Sequence, residues 1–290
     1  MQSWQLSEGD EIVPGRIALS LLGGGRRYEA YLAWDEHLQA LVVAKLLRPD
    51  QVTSGRGSLD GEAGLLAALA HPLLMRTFGV VIGGPRPHLV LEHIEGPRLS
   101  TLIRGGRLAL EQVLPLGLDL VRLLRYLHAE RVLHLDVKPR NVIMAGRPRL
   151  IDLSVACRIE DIPGLRAPVG TDAYMAPEQC EVARFGELGP ASDVWGVGAT
   201  LFEALSGAQP FRRDGEPFPQ LRSSPAPLPR HVPAPLRALM LDCLAPRPSD
   251  RPTLPECGDR LEALVKRQPA PRVSRLRPGG SARLRALPQG

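Results

Sequence analysis

The chain has 290 residues, 44% of them hydrophobic and 23% charged, which suits one large domain or two small ones with a buried core and excludes a wholly disordered polymer. The net charge of +5 is uneven: no acidic residue follows Glu262 but seven basic ones do, and the part before them carries 29 basic against 31 acidic residues. Four dispersed cysteines without a CxxC pair argue against zinc, and no apolar run reaches the ~18 residues of a membrane span. Met1 to Asp10 lacks signal-peptide order, so a cytoplasmic chain without a transmembrane segment is the expectation.

The first hundred residues read mainly as strands. Arg16 to Leu22 runs into Gly23-Gly24-Gly25, and Tyr28 to Trp34 resumes the alternation, so a glycine turn should join the two as a hairpin. Ala40 to Leu46 is a third strand. Leu59 to Leu69 is Ala/Leu-rich and helical, stopped by His71-Pro72. Leu74 to Ile82 and His88 to Ile94 are strand-like, with Gly83-Gly84-Pro85 between them. From Leu108 the period changes: Leu114, Leu118, Val121, Leu124 and Leu127 mark an amphipathic helix closing near His128, with Pro115 placed in its first turn or at a kink. Short strands are expected at Val132-Leu133, Asn141 to Met144 and Arg149 to Ile151. Ser192 would cap a buried helix running through Leu205 to a stop at Gly207. Pro217 to Pro235 reads as a surface loop, and two further helices are expected near Pro233 to Leu244 and Pro255 to Lys266.

Several segments carry chemistry that this element pattern does not explain. Leu22-Gly23-Gly24-Gly25 precedes Ala30 and the strand Val42-Val43-Ala44-Lys45, and Glu62 lies on the first helix. Leu91-Glu92-His93-Ile94 ends a strand. His134-Leu135-Asp136-Val137-Lys138-Pro139-Arg140-Asn141 is followed, eleven residues after Asn141, by Asp152 within Leu150-Ile151-Asp152-Leu153-Ser154. Gly170 to Glu178 (GTDAYMAPE), Asp193 and Ser249-Asp250-Arg251-Pro252 come last. Any one of these residues alone would pass for a solvated charge or a polar turn.

In this order, from about Ile12 to Lys266, the segments resemble the bacterial, actinobacterial-type Ser/Thr protein kinases. That resemblance implies an α+β, bilobal fold: a β-rich N-lobe with one main helix, about residues 12–93, and a helical C-lobe, about 94–266, together a kinase domain spanning 1–266. The residues 267–290 form a basic Pro/Arg/Gly-rich tail expected to be disordered. The implied activity is transfer of the γ-phosphate of ATP to protein Ser/Thr hydroxyls, with magnesium, or manganese as an alternative, as the metal. Asp136 would be the catalytic base, Lys138 would neutralise the transferring phosphoryl group, and Lys45, held by Glu62, would reach the α- and β-phosphates. Asn141 and Asp152 would be the metal ligands. Leu22, Gly23, Gly25, Ala30, Val43, Leu91, Glu92, Ile94 and Ile143 would join Lys45 in holding the nucleotide, with Leu91 as gatekeeper and Glu92 and Ile94 as the hinge. Thr171 would touch Asp136 and Lys138, Glu178 would pair with Arg251, and Asp193 would anchor the catalytic loop. The implied partners are protein substrates and ATP, with no specific nucleic acid; the oligomeric state is left open.

The departures bear on control. Tyr28 stands in place of the third loop glycine, and Ser154 in place of the glycine after Asp152-Leu153. Leu135 replaces the phosphate-receiving arginine of many kinases, and no Ser, Thr or Tyr lies between Ser154 and Thr171, so activity independent of activation-loop phosphorylation is expected. Arg140, where basophilic kinases carry glutamate, should disfavour basic acceptor peptides. Tyr28, Leu135 and Ser154 also suit a pseudokinase or slow ATP-binding scaffold. A kinase of small molecules is disfavoured by the segment Gly170 to Glu178.

Overall fold

A computed structural model describes residues 2–53, 59–164, 170, 173–212 and 215–268. Strands β1 (Glu11–Val13), β2 (Arg16–Gly24), β3 (Tyr28–Asp35) and β4 (Ala40–Leu47) run antiparallel along the chain. After a short α1 (Pro49–Thr53) and the longer α2 (Asp60–Ala68), β5 (Thr77–Val81) and β6 (His88–Glu92) complete one six-stranded sheet in the order β1-β2-β3-β4-β6-β5. Alternation divides its two faces. Tyr31, Ala33, Val42, Ala44, Leu46 and Val90 build a small core on one side, while Val43 and Lys45 point to the other, toward the second half of the molecule. A segment without strand or helix pattern covers that small core. Trp4 and Leu6 pack on it, Trp4 Nε1 donates to the Leu47 carbonyl at 2.7 Å, and the Trp4 N–H donates to Glu29 at 3.1 Å.

The second half is helical. It begins with α3 (Leu99–Arg104) and α4 (Leu110–Ala129), and then passes β7 (Val132–Leu133), the hairpin β8 (Val142–Ala145) and β9 (Arg147–Leu150), and β10 (Cys157–Arg158), which pairs with β7. The short α5 (Pro177–Cys180) and α6 (Val182–Phe185) precede the long α7 (Pro190–Ser206), and α8 (Ala234–Cys243) and α9 (Leu254–Lys266) close the bundle. Its core is a leucine-rich stack in which Leu114, Leu116, Leu120 and Leu124 of α4 meet Trp195, Leu201 and Phe202 of α7, all essentially without solvent contact. Gly196 on α7 has a packing reason: a Cβ there would stand 3.0 Å from Val137 Cβ, so the missing side chain lets the loop before β8 rest directly on the helix. This is the antiparallel sheet with a helix, followed by a helical region, that the sequence implied. Among the described residues no helix is long and apolar enough to cross a membrane.

Some elements differ from expectation. The strand expected from Leu74 starts at Thr77, because Leu74 is drawn into an isolated bridge with Leu150. Helix α7 begins at Pro190, so Ser192 is its third residue and not the cap. Its hydroxyl accepts the Gly189 N–H at 3.3 Å and donates to Glu178 at 2.7 Å. Helix α4 begins at Leu110, which places Pro115 in the second turn, where its ring removes one helical hydrogen bond. The short helices α1 and α3 were not legible, since five or six residues give no period to read. The expected disordered tail lies outside the described residues from position 269 on.

Candidate active site

Between the sheet and the helices lies a cleft of about 700 Å³. Its roof comes from the β2–β3 turn. Gly23 takes a φ of +140°, and a Cβ on Gly24 would stand 2.7 Å from the Tyr28 carbonyl, so glycine is required at both positions for different reasons. The N–H of Gly25 closes the turn on the Tyr28 carbonyl at 2.9 Å. Nothing lies within 4 Å of where Cβ atoms on Gly23 and Gly25 would be, which leaves their backbone open toward the cleft.

Lys45 sits under this roof because β4 alternates Val43 and Lys45 onto the cleft face, and the register sets Ala30 beside Lys45. Its Nζ donates to both Glu62 oxygens at 2.8 Å and to Asp152 Oδ1 at 2.8 Å. Glu62 belongs to the first turn of α2, whose N-terminal dipole favours a carboxylate. The three groups are coupled. Burial alone would lower the Lys45 pKa, but the charges of Asp152 and Glu62 outweigh it and raise it. Burial likewise pushes Asp152 up, yet Lys45 and the Ser154 hydrogen bonds hold it well below the usual carboxylate range. Glu62 is raised, by burial first and the Asp152 charge next, against the pull of Lys45. The ammonium thus bridges two acids that would otherwise repel each other.

Across the cleft the loop His134 to Asn141 is suspended from one buried carboxylate. Asp193, near the start of α7, accepts the Leu135 N–H on Oδ1 at 2.8 Å and the His134 N–H on Oδ2 at 3.0 Å, and His128 Nε2 lies 2.8 Å from that same Oδ2. Burial pushes the Asp193 pKa up, but His128 and the loop amides outweigh that, and the net direction is down. Leu135, held this way, takes a φ of +60°, and Asp152 a φ of +75°, left-handed conformations that non-glycine residues adopt only when their surroundings enforce them. Asp136 Oδ2 accepts from Lys138 Nζ at 2.5 Å and from Asn141 Nδ2 at 3.1 Å. Its Oδ1 is buried and has no hydrogen-bond partner among the described residues. Asn141 spends its Nδ2 on Asp136, and its Oδ1, a hard oxygen, makes no bond among the described residues.

The structure therefore brings Lys45, Glu62 and Asp152 into direct contact, and Asp136, Lys138 and Asn141 into another contact group. All except Glu62 line the same cleft, where Leu22, Gly23, Gly25, Ala30, Val43, Leu91, Glu92, Ile94 and Ile143 join them. Glu178 and Arg251 meet below it through bonds of 2.6 and 2.7 Å. Thr171 lies outside the described residues. The chain matches the protein kinase domain family over residues 17–260. It belongs to that family. Serine/threonine-protein kinase PknB of Mycobacterium leprae (strain TN) is 30% identical over 249 residues, covering 80% of this chain and 40% of the relative. PknB of Mycobacterium tuberculosis (strain ATCC 25177 / H37Ra) gives 30% over 250 residues with the same coverage, and PknA of that strain 31% over 294 residues, 95% of this chain and 67% of the relative. The chain thus spans about 40% of the length of the PknB relatives.

Several features of this kinase domain escaped the sequence reading. The Glu92 N–H donates to the Arg76 carbonyl at 3.0 Å, and its side chain is clamped by Arg149 at 2.6 Å and Arg76 at 3.2 Å, which fixes the strand end where the two halves join. The Tyr28 ring is not only a bulkier glycine substitute: it lies over Lys45, with Nζ 4.6 Å from the ring centroid. Gln179 Nε2 donates to the Leu135 carbonyl at 2.8 Å and ties α5 to the loop His134 to Asn141. Arg98, which no motif singles out, lines the cleft beside Arg140. Only its position after Ile94-Glu95-Gly96-Pro97, at the exit from the strand, hinted at this.

Proposed function

We propose that this domain is a Ser/Thr protein kinase that uses ATP and magnesium and acts on protein hydroxyls. The observation that carries the reading is the convergence of the Lys45–Glu62–Asp152 group and the Asp136–Lys138–Asn141 group on one cleft. Lys45, already oriented by Glu62, binds the α- and β-phosphates as a cation. The open backbone of Gly23 and Gly25 lets phosphate oxygens approach amide N–H groups. Asp136 uses Oδ1 to orient the acceptor hydroxyl and take its proton, while Lys138 holds the carboxylate in place through Oδ2.

The metal requirement is supported by the donor set. Asn141 and Asp152 offer two hard oxygen ligands, and no cluster of three or more His, Cys, Asp or Glu suited to a metal occurs among the described residues. That suits an ion held by one or two side chains and completed by phosphate oxygens and water, as magnesium is. When bound, such an ion neutralises charge on the phosphates.

Independence from activation-loop phosphorylation is part of the proposal. Leu135 is buried where an arginine would receive phosphate, and its N–H belongs to Asp193. Tyr28 over Lys45 favours the second reading, a slow nucleotide-binding scaffold. One experiment separates them: labelled ATP, magnesium and a generic protein acceptor, with wild type, phosphatase-treated wild type and Asp136→Ala compared. The expected result is incorporation that survives phosphatase treatment and falls at least about a hundredfold in Asp136→Ala. Equal incorporation with and without Asp136 would refute the kinase reading, and loss after phosphatase traced to a site between Asp152 and Glu178 would refute the autonomy.

A further inference from the structure

An arginine shielded from water ordinarily faces a carboxylate, and in this molecule most do. Arg48, Arg149 and Arg251 have side-chain exposures of 15%, 19% and 0%, and each lies 2.6–2.7 Å from a glutamate oxygen. Arg98 is different. It is half-buried at the entry to α3, and among the described residues its side chain's one hydrogen bond runs from Nη1 to the Arg140 carbonyl at 3.3 Å. Neither Arg98 nor Arg140 has an acidic partner among the described residues. Glu95, exposed on the same rim, pairs with neither. Burial and the Arg140 charge lower the Arg98 pKa against the opposing pull of Asp152, yet a guanidinium does not deprotonate in a protein. Two like charges are thus held together, and among the described residues only the more distant charge of Asp152 works against their repulsion.

Their location gives that repulsion a use. Arg140 lies four residues after Asp136, on the turn Pro139–Asn141, and α3 packs against the same turn. An acceptor side chain that reaches Asp136 Oδ1 must bring its neighbouring residues past this turn. Resting on the kinase reading above, we propose that Arg98 and Arg140 form an anion subsite that selects protein acceptors with an acidic side chain close to the phosphorylated Ser or Thr. A guanidinium pair offers forked N–H donors that fit a carboxylate with two parallel bonds. A basic neighbour is rejected by the same charges. This sharpens the expectation from Arg140 alone: the cleft not only excludes bases but recognises acids, and the second arginine makes that recognition bidentate in reach.

The test is a peptide panel with a fixed Ser or Thr acceptor, in which a single Glu, Ala or Lys is moved through each position on either side. Wild type, Arg98→Glu/Arg140→Glu and Arg98→Lys/Arg140→Lys are compared by kcat/KM for peptide and by KM for ATP. At the favoured position wild type should use Glu over Lys by about tenfold, the glutamate variant should invert that ratio, and the lysine variant should keep its sign. Should the double charge reversal fail to fold, Arg140→Glu alone, at an exposed position, should still shrink the ratio about threefold. Equal use of Glu and Lys by wild type, or an unchanged preference in the reversed-charge variants, would overturn the subsite and leave the kinase reading standing. A change confined to KM for ATP would overturn it too, by assigning the arginines to nucleotide phosphate. Absence of transfer to any peptide or protein by wild type would remove both.

Discussion

Replacing Arg251 with methionine strips the counterion from a carboxylate that no solvent reaches. The Arg251 and Glu178 side chains are both 0% exposed and share two bonds of 2.6 and 2.7 Å. The guanidinium also donates to the carbonyls of Ala245 at 2.8 Å, Ala191 at 2.9 Å and Pro246 at 3.1 Å, and it stacks 5.0 Å above the Trp195 ring. After the change Glu178 keeps, among the described residues, only the Ser192 hydroxyl at 2.7 Å. Breaking one side of a buried pair costs about 3–5 kcal/mol, and the three abandoned carbonyls favour the upper end. At about 2–4 °C of Tm per kcal/mol for a chain of this size, the loss should lower Tm by about 6–20 °C. Thermal and urea unfolding at neutral pH, with a check that the urea slope is unchanged, provides the measurement. Arg251→Met/Glu178→Met, which removes both charges, should recover part of the loss. A single-variant loss below about 1 kcal/mol, or a double variant less stable than Arg251→Met, would refute the reasoning.

Two other sites give sharp expectations. Asp193→Asn leaves one oxygen to serve two loop N–H groups and His128, so stability should fall by about 1.5–3 kcal/mol and kcat should fall more than KM for ATP changes. The folded pKa of Asp193 lies below its ordinary value, so its contribution is fully present above that value and is lost as pH falls through the lower one. The difference in unfolding free energy between wild type and Asp193→Asn should therefore narrow on the acid side, and a constant difference would count against the anchoring role. Tyr28→Gly should lower KM for ATP about fivefold, since phosphates no longer compete with a ring contact to Lys45 worth ~1 kcal/mol; a raised KM in steady-state assays would show that the ring assists binding.

The fold and much of the cleft were legible because their signals are local. Alternation in Tyr28 to Trp34 and the apolar run Ala40 to Leu46 gave two strands, each ending one residue short of the observed element, and the leucine spacing through Leu127 gave α4. The fixed interval from Asp136 to Asn141 and on to Asp152 marked the chemistry. What stayed hidden depends on partners distant in sequence. Trp4 and its neighbours carry no motif, yet they cover the small core, and Arg48 ties Glu29, the Gln2 carbonyl and the Gly25 carbonyl together. Ser192 looked like a cap because capping residues are recognised by type, whereas the proline two residues earlier set the actual start and freed the hydroxyl for Glu178.

By itself the sequence determined which side chains are available and on which kind of element each sits, since periodicity and turn chemistry act over a few residues. Only the tertiary structure decided what each charge meets. Lys45 and Asp152 are 107 residues apart and touch at 2.8 Å, Glu92 turns out to be clamped by two arginines, and Arg98 forms no ion pair among the described residues. The strength of a charge depends on its desolvation and its nearest counterion, and both are fixed when separate elements pack, not when the chain is written.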